Sequence, residues 1–416
     1  MDPLGLYLSI PFCRAKCSFC NFASDAFAPG RLPGYVDRLC EEIASARRSA
    51  SGLGWKLPDT ADTVYFGGGT PSLLSPGDVR RIFSSLRDQF LLPSDPEITV
   101  ECAPNQLSPA TLEELQRHGV NRLSFGVQSF IDRESAAIGR LHSAQQCRSQ
   151  FEQVRSAGIL NLSLDLIAGL PHQTEASWIS SIDQAVASGV PHISVYMLEV
   201  DEDSRLGREI LAGGDRYGGS TVPSDDDSAA FYQLACDRLA SAGIAQYEIS
   251  NFARPGFQSA HNLKYWRRKP YLGFGLDAHS FLRSASGAVR FANTGDLEAY
   301  LHPAPRPGGE DSAFHPLALA SHRAAFASQR TVVEPITENE AFEETLFLGL
   351  RTNGGLCVEV LRDEFGNRLV DLVLPLITEA AAEGLVALED DRIHLTARGR
   401  VLSNELFSRL LIRAAA

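Results

Sequence analysis

Three cysteines fall within one short stretch, Pro11-Phe12-Cys13-Arg14-Ala15-Lys16-Cys17-Ser18-Phe19-Cys20, spaced C-x3-C-x2-C. Thiolates this close can ligate one metal ion or three irons of a single iron–sulfur cube. A structural zinc normally takes four ligands arranged as two pairs, and no second pair of Cys or His stands nearby. Three protein thiolates on a four-iron cube leave one iron open. An open iron is a place for a cofactor or substrate, which a purely electron-carrying cluster does not need.

The elements that must position these thiols follow a regular alternation. Strand patterns at Leu6–Ile10, Thr63–Phe66, Glu97–Glu101, Arg122–Val127, Asn161–Leu166 and His192–Leu198 alternate with amphipathic stretches near 35–48, 76–90, 108–118, 144–158 and 175–189. A further helix is expected at 226–243, and Gln246–Ile249 could be one more strand. Ser75-Pro76, Ser108-Pro109 and Ser143-Ala144 are start signals; Gly119, Gly158, Gly189 and Gly243 are stop signals. Six β–α units with right-handed crossovers imply an α/β fold, a partial (β/α)6 TIM-like barrel. Gly213–Ser228 and Pro303–Asp311 read as surface loops. After about Thr331 the order is helix (338–350), shorter helix (358–365), helix (369–383), hairpin (385–388 with 392–395) and a last helix. That order is winged-helix-like, a small C-terminal α+β domain. The expected division is 1–245 barrel, 246–330 barrel-covering segment and 331–416 accessory domain, whose place in the chain would let it cover the barrel mouth. Acids outnumber bases in this last part, so a packing or partner role fits it better than DNA binding.

In a β/α barrel, functional groups gather at the C-terminal ends of the strands. The cysteine loop follows the first strand, Gly67-Gly68-Gly69-Thr70-Pro71-Ser72 the second; Glu101 ends the third, Gln128 follows the fourth and Asp165 sits near the end of the fifth. A glycine triplet lets backbone approach a ligand and offers unshielded N–H groups. Glu101 could otherwise cap a helix, and Asp165 could pair structurally with Arg140.

Composition narrows the setting. With 44% apolar and 21% charged residues the chain reads as an ordinary globular protein, and its charge of −13 argues against general nucleic-acid or anionic-membrane binding. No apolar run reaches the length of a membrane span, and the start has no basic n-region of a secretory signal. Eight cysteines are too few for a disulfide scaffold. Cys40, Cys147 and Cys236 lie in amphipathic helix patterns, as buried thiols do. Three thiols so close in sequence imply a reducing cytoplasm.

These segments resemble the radical S-adenosylmethionine (SAM) superfamily. The resemblance is strongest to the group of oxygen-independent coproporphyrinogen III dehydrogenases (HemN type) and related heme chaperones (HemW type). Besides the cysteines it runs through Tyr7–Phe12, Tyr65–Ser72, Phe125–Phe130, Gly139–His142, Asp165–Pro171, Tyr247–Asn251 and His261–Trp266. It implies a 4Fe-4S cluster on Cys13, Cys17 and Cys20, with SAM chelating the fourth iron. It also implies SAM contacts from Tyr7, Phe19, Gly68, Gly69, Thr70, Glu101, Gln128, Arg140 and Asp165. The implied reaction class is one-electron reductive cleavage of SAM to methionine and a deoxyadenosyl radical, with an electron donor such as a flavodoxin or ferredoxin. HemN-type enzymes carry a fourth cysteine where this chain has Phe22, and an N-terminal arm for which six residues before Tyr7 leave no room. Both departures resemble the chaperone type and put the dehydrogenase reaction in doubt. In that type the segment His261-Asn262-Leu263-Lys264-Tyr265-Trp266 is associated with heme. His261 could offer iron an imidazole beside the flat surfaces of Tyr265 and Trp266, or could simply hydrogen-bond in the core; His279 and His142 are competing ligands. A heme-acceptor protein would be the partner.

Overall fold

The computed structural model describes residues 2–20, 25–26, 30–52, 54–284, 287–302 and 330–412. Strands β1 (Leu4–Ile10), β2 (Ala61–Gly68), β3 (Glu97–Cys102), β4 (Arg122–Gln128), β5 (Asn161–Ala168) and β6 (His192–Met197) pair in sequence order, all parallel. Their alternation explains the curl. In β1, Leu4, Leu6, Leu8 and Ile10 are fully buried under the surrounding helices, while Gly5, Tyr7 and Ser9 face the barrel interior. The helices between are α1 (Leu32–Gly52), α2 (Pro76–Gln89), α3 (Pro109–Arg117), α4 (Asp132–Ala137), α5 (Ala144–Ser156) and α6 (Glu175–Ala187). The Ser75, Ser108 and Ser143 hydroxyls accept from Asp78, Thr111 and Gln146 N–H groups, each satisfying an orphan donor of the first turn. The chain leaves α3 and α5 through left-handed Gly119 and Gly158. This is the α/β partial barrel expected.

Two expectations are corrected here. Gln246–Ile249 is not a strand: β7 (Ala245–Gln246) turns through Tyr247–Ser250 into antiparallel β8 (Asn251–Ala253), which pairs with β6. Within Gly213–Ser228, residues Arg216–Thr221 form a 3-10 turn, and Ser224 caps the helix beginning at Asp225. After α7 (Arg205–Leu211) and α8 (Asp225–Ser241) comes the short α9 (Ala260–Trp266). β9 (Tyr271–Phe274) then pairs parallel with β1, and β10 (His279–Ser284), β11 (Gly287–Asn293) and β12 (Arg330–Ile336) extend the sheet antiparallel. The described sheet is thus 12-stranded, in the order β12-β11-β10-β9-β1-β2-β3-β4-β5-β6-β8-β7. Pro303–Asp311 and Phe22 lie outside the described residues.

The segment bearing α9 closes the barrel at the N-terminal ends of the strands. Lys264 Nζ donates to Pro3 O at 2.9 Å and pairs with Asp62 at 2.7 Å. The Glu97 carboxylate accepts from the Ala260 and His261 N–H groups, both at 2.9 Å.

The C-terminal part has its own core. After α10 (Leu297–Leu301) and β12 come α11 (Glu338–Leu350), β13 (Leu356–Cys357), α12 (Val358–Ala382), β14 (Val386–Glu389) and β15 (Arg392–Leu395). Gly366, at φ 77°, breaks α12 into the two helices expected. Glu344 accepts from Arg268 at 3.1 Å and from Arg290 at 2.6 Å, Arg283 pairs with Glu364, and Arg351 lies over Trp266. These contacts run to α9 and the β10–β11 ribbon, which places the domain beside the closed end and not over the cysteine loop. Among the described residues no helix is long and apolar enough to cross a membrane.

Glu42, on α1 and 5% exposed, accepts from Tyr300 OH (2.8 Å), Asn293 Nδ2 (2.7 Å) and Gly275 N–H (3.0 Å). It fastens the Gly273–Ala278 turn to the barrel. Glu42→Ala leaves these donors buried without an acceptor, and the expected outcome is a loss of about 3 kcal/mol or more, read by urea unfolding.

Candidate cofactor site at the strand ends

The glycine triplet is shaped by the cysteine loop. Gly69 N–H donates to Ile10 O at 2.9 Å and Thr70 N–H to Phe12 O at 2.8 Å. A Cβ on Gly69 would lie 2.7–2.8 Å from the Phe12 N and O and the Ile10 O, so only glycine allows this approach. Gly68 takes a left-handed φ of 99°, and its N–H reaches Glu101. The unshielded N–H groups expected of this turn are therefore engaged within the protein.

The cysteines are free thiols on one loop. Thr70 Oγ1 donates to Cys13 Sγ at 3.5 Å, and the thiols of Cys20 and Cys17 are close enough to Cys13 to act on it electrostatically. Burial pushes the Cys13 thiol up. Among the described residues no three Cys, His, Asp or Glu side chains converge on a single ion. Around the loop, Ser18 N–H donates to Ile138 O (3.0 Å), Leu206 N–H to Ser18 O (2.8 Å), and Arg205 to Lys16 O. Phe19 packs on the small cluster of Ile138, Ile167 and Leu170.

The other predicted residues line the barrel interior below this rim. Tyr65 OH donates to Glu101 at 2.7 Å, and the Tyr7 and Tyr65 rings stack at 6.1 Å. Burial raises the Glu101 carboxyl to about 7 against the opposing Tyr65 hydrogen bond, with help from the Asp165 charge. Burial also raises Asp165, opposed by the Ser194 hydroxyl and the Arg122 and Arg140 charges. Arg140 reaches over side-chain-free Gly126 to its carbonyl oxygen. Asp165 and Arg140 are thus electrostatic partners without a direct ion pair among those the structure shows. Gln128 stands at φ 69°, an uncommon backbone for a residue with a side chain. Its Oε1 and the Arg140 Nε are both buried without a hydrogen-bond partner. Buried polar atoms left unmet are costly, and a polar ligand in the barrel would satisfy these two. The residues present therefore fit a cluster on the loop and a polar nucleoside beside it.

Tyr65 and Arg122 were not singled out from the sequence. The period-2 pattern Thr63-Val64-Tyr65-Phe66 does aim Tyr65 inward; Arg122, at a strand start, carries no such sign although it is 2% exposed.

The histidines separate clearly. His261 is 1% exposed, with Nδ1 2.8 Å from Thr63 Oγ1 and Nε2 2.8 Å from Tyr265 OH. Its ring stacks on Tyr65, and burial lowers it to about 3. In this structure both ring nitrogens of His261 are hydrogen-bonded in the core, Nε2 to the Tyr265 hydroxyl. His142 is buried with Nε2 3.2 Å from Val127 O. His279 is exposed.

The chain matches the Radical SAM superfamily over residues 7–185 and the HemN C-terminal domain over residues 336–402. It is 31% identical to the heme chaperone HemW of Lactococcus lactis over 99% of this chain and 98% of that protein. This chain belongs to the radical SAM superfamily, in the HemN/HemW group. To HemW of Bacillus subtilis it is 32% identical over 97% of this chain and 98% of that one. Among solved structures, the radical SAM enzyme HemN of Escherichia coli, a coproporphyrinogen III oxidase, superposes with a TM-score of 0.79 at 22% identity, covering 99% of this chain and 91% of that one. At that identity the likeness concerns the fold.

Because the Gly69 contacts are to backbone, Gly69→Ala is expected to cost about 1–3 kcal/mol by overpacking and to displace the cysteine loop. Thermal unfolding and iron bound after anaerobic reconstitution check both; unchanged iron with unchanged stability would contradict the packing described.

Proposed function

We propose that this protein is a cytoplasmic heme chaperone of the radical SAM type. It holds a 4Fe-4S cluster on Cys13, Cys17 and Cys20, binds SAM at the open iron, binds heme and passes it to an acceptor protein. The observation that carries this is the full-length likeness to proteins named heme chaperone HemW, together with free thiols on a loop that backbone hydrogen bonds hold against the glycine turn. When bound, the cluster supplies an electron to SAM, which a flavodoxin or ferredoxin would restore.

The chain's own residues then have definable tasks. Glu101 and Asp165 give the interior two carboxyls whose ionised forms suit a cationic cofactor. Gln128 Oε1 and Arg140 Nε, unmet in the protein, would be satisfied by polar groups of the nucleoside. Tyr7 and Phe19 add aromatic surface to the site. The engaged N–H groups of Gly69 and Thr70 leave the turn's carbonyl side for a ligand ammonium. α9 closes the far end, which keeps water from entering behind the cofactor.

Three outcomes test the reading. Replacing any one of Cys13, Cys17 or Cys20 by Ala should reduce reconstituted iron from about four per chain to near zero, read by iron analysis and visible absorption. SAM affinity should fall about tenfold from pH 8 to pH 6 as Glu101 takes up a proton through its pKa of about 7; in Glu101→Gln the affinity should be lower and flat, by anaerobic calorimetry. Reconstituted protein should bind added hemin tightly, yet given SAM, reductant and coproporphyrinogen III it should release no carbon dioxide. Turnover to protoporphyrinogen would replace the chaperone reading with the dehydrogenase one.

A further inference from the structure

β4 leaves its regular pairing in its last residues. Its register with β5 slips between Gly126 and Gln128, a bulge that re-aims the strand end, and Gln128 stands at φ 69°. A Cβ on Gly126 would run into the Arg140 guanidinium and approach Gln128 Nε2 at 3.0 Å. The bare glycine thus lets the Gln128 amide and the Arg140 guanidinium come together, each with one buried polar atom unmet. A left-handed backbone at a residue with a side chain costs free energy, and it persists only where the surroundings hold it.

Ser129, the next residue, supplies that hold. Its hydroxyl donates to Glu134 Oε2 at 2.6 Å and accepts from the Ile131 N–H at 2.9 Å. Its carbonyl accepts from Ser135 Oγ at 2.8 Å, and the Ser135 carbonyl in turn accepts from the Arg140 N–H at 3.0 Å. Ser129, Glu134 and Ser135 are all 2% exposed or less, so removing one partner leaves the others buried and unmet. Glu134 Oε2 is also reached by Gln173 Nε2 at 3.4 Å, which donates to Ile167 O of β5 at 3.1 Å. α4 therefore ties Gln128 on one side to Arg140 on the other. Just past its end, Ile138 O accepts from Ser18 N–H of the cysteine loop.

We infer that Ser129 is a positioning residue for SAM: with Glu134 as its acceptor, it holds Gln128 and Arg140 in register with each other and with the cysteine loop. The inference rests on the SAM reading proposed above. Only one oxygen of Glu134 is engaged, because Oε1 is buried without a partner. An amide at position 134 can keep both bonds through its oxygen, so the position requires the acceptor and not the charge.

The test is anaerobic calorimetry of SAM binding to the full, reconstituted chain, with EPR of the reduced cluster. Ser129→Ala should bind SAM about tenfold more weakly, while iron stays at about four per chain and the cluster signal without SAM is unchanged. SAM should still shift that signal, at about tenfold higher concentration. Glu134→Ala should show the same loss, and Glu134→Gln should return the affinity to within about twofold of wild type. This pair decides the matter where Ser129→Ala does not fold. Glu42→Ala, whose lost bonds lie in the Gly273–Ala278 turn, should bind SAM as wild type does, which separates positioning from a general loss of stability. Wild-type affinity in folded Ser129→Ala or Glu134→Ala would overturn the inference. So would an equal loss in Glu42→Ala, or a Glu134→Gln as weak as Glu134→Ala. Wild type that holds its cluster yet binds no SAM would instead remove the SAM reading itself.

Discussion

Two backbone hydrogen bonds, from Gly69 N–H to Ile10 O and from Thr70 N–H to Phe12 O, set where the cysteines can stand. They join the loops after β1 and β2 before any cofactor is considered. Cys13 follows directly on Phe12, so the first thiol inherits the position of a paired backbone, and the Thr70 hydroxyl then meets its sulfur. The second and third thiols are held from the other side, through Ser18 between Ile138 O and Leu206 N–H. A loop fastened at both flanks loses little further freedom when a cluster is inserted, and that lowers the entropic cost of ligation. The glycine requirement at position 69 is a consequence of this approach.

Inside the barrel the same parallel strands create a polarity that runs from one end to the other. At the closed end, Thr63, His261 and Tyr265 satisfy one another, and Glu97 caps α9. Toward the open end, the Glu101 and Asp165 carboxyls face Arg140 and Gln128, whose Nε and Oε1 are buried without a partner. The Tyr65 ring links the two, lying between His261 and Tyr7 with its hydroxyl on Glu101.

The six parallel strands were legible because each buries its outward face against helices, which makes short apolar runs, and because Ser and Gly punctuate the helices between them. The cysteine loop and its rim neighbours were legible because parallel strands all deliver their C-terminal ends to one side. Other features had no local sign. Tyr271-Leu272-Gly273-Phe274 joins the sheet through its partner β1, a tertiary pairing that a four-residue run cannot announce. Glu42 sits in an amphipathic helix pattern where an acid reads as exposed, yet its acceptors are needed by a turn more than two hundred residues away. His261 has a chemically suggestive motif around it, and only the surrounding Thr63 and Tyr265 show that both ring nitrogens are engaged.

The likeness to HemN in fold places a shared frame under two different kinds of activity, and a frame does not choose between them. The choice has to lie in side chains at the mouth. A decarboxylating enzyme must hold a porphyrinogen so that a propionate carbon meets the reacting centre, which calls for an enclosing wall. A chaperone must instead keep its cargo reachable by a second protein. The described C-terminal domain packs beside the closed end through Arg268, Arg283 and Arg290, so it adds no wall over the cysteine rim. Among the described residues, Tyr196 and Met197 at the end of β6 are exposed. On the reading proposed above, an exposed apolar rim suits a cargo that must be handed on, because a second protein can approach it there.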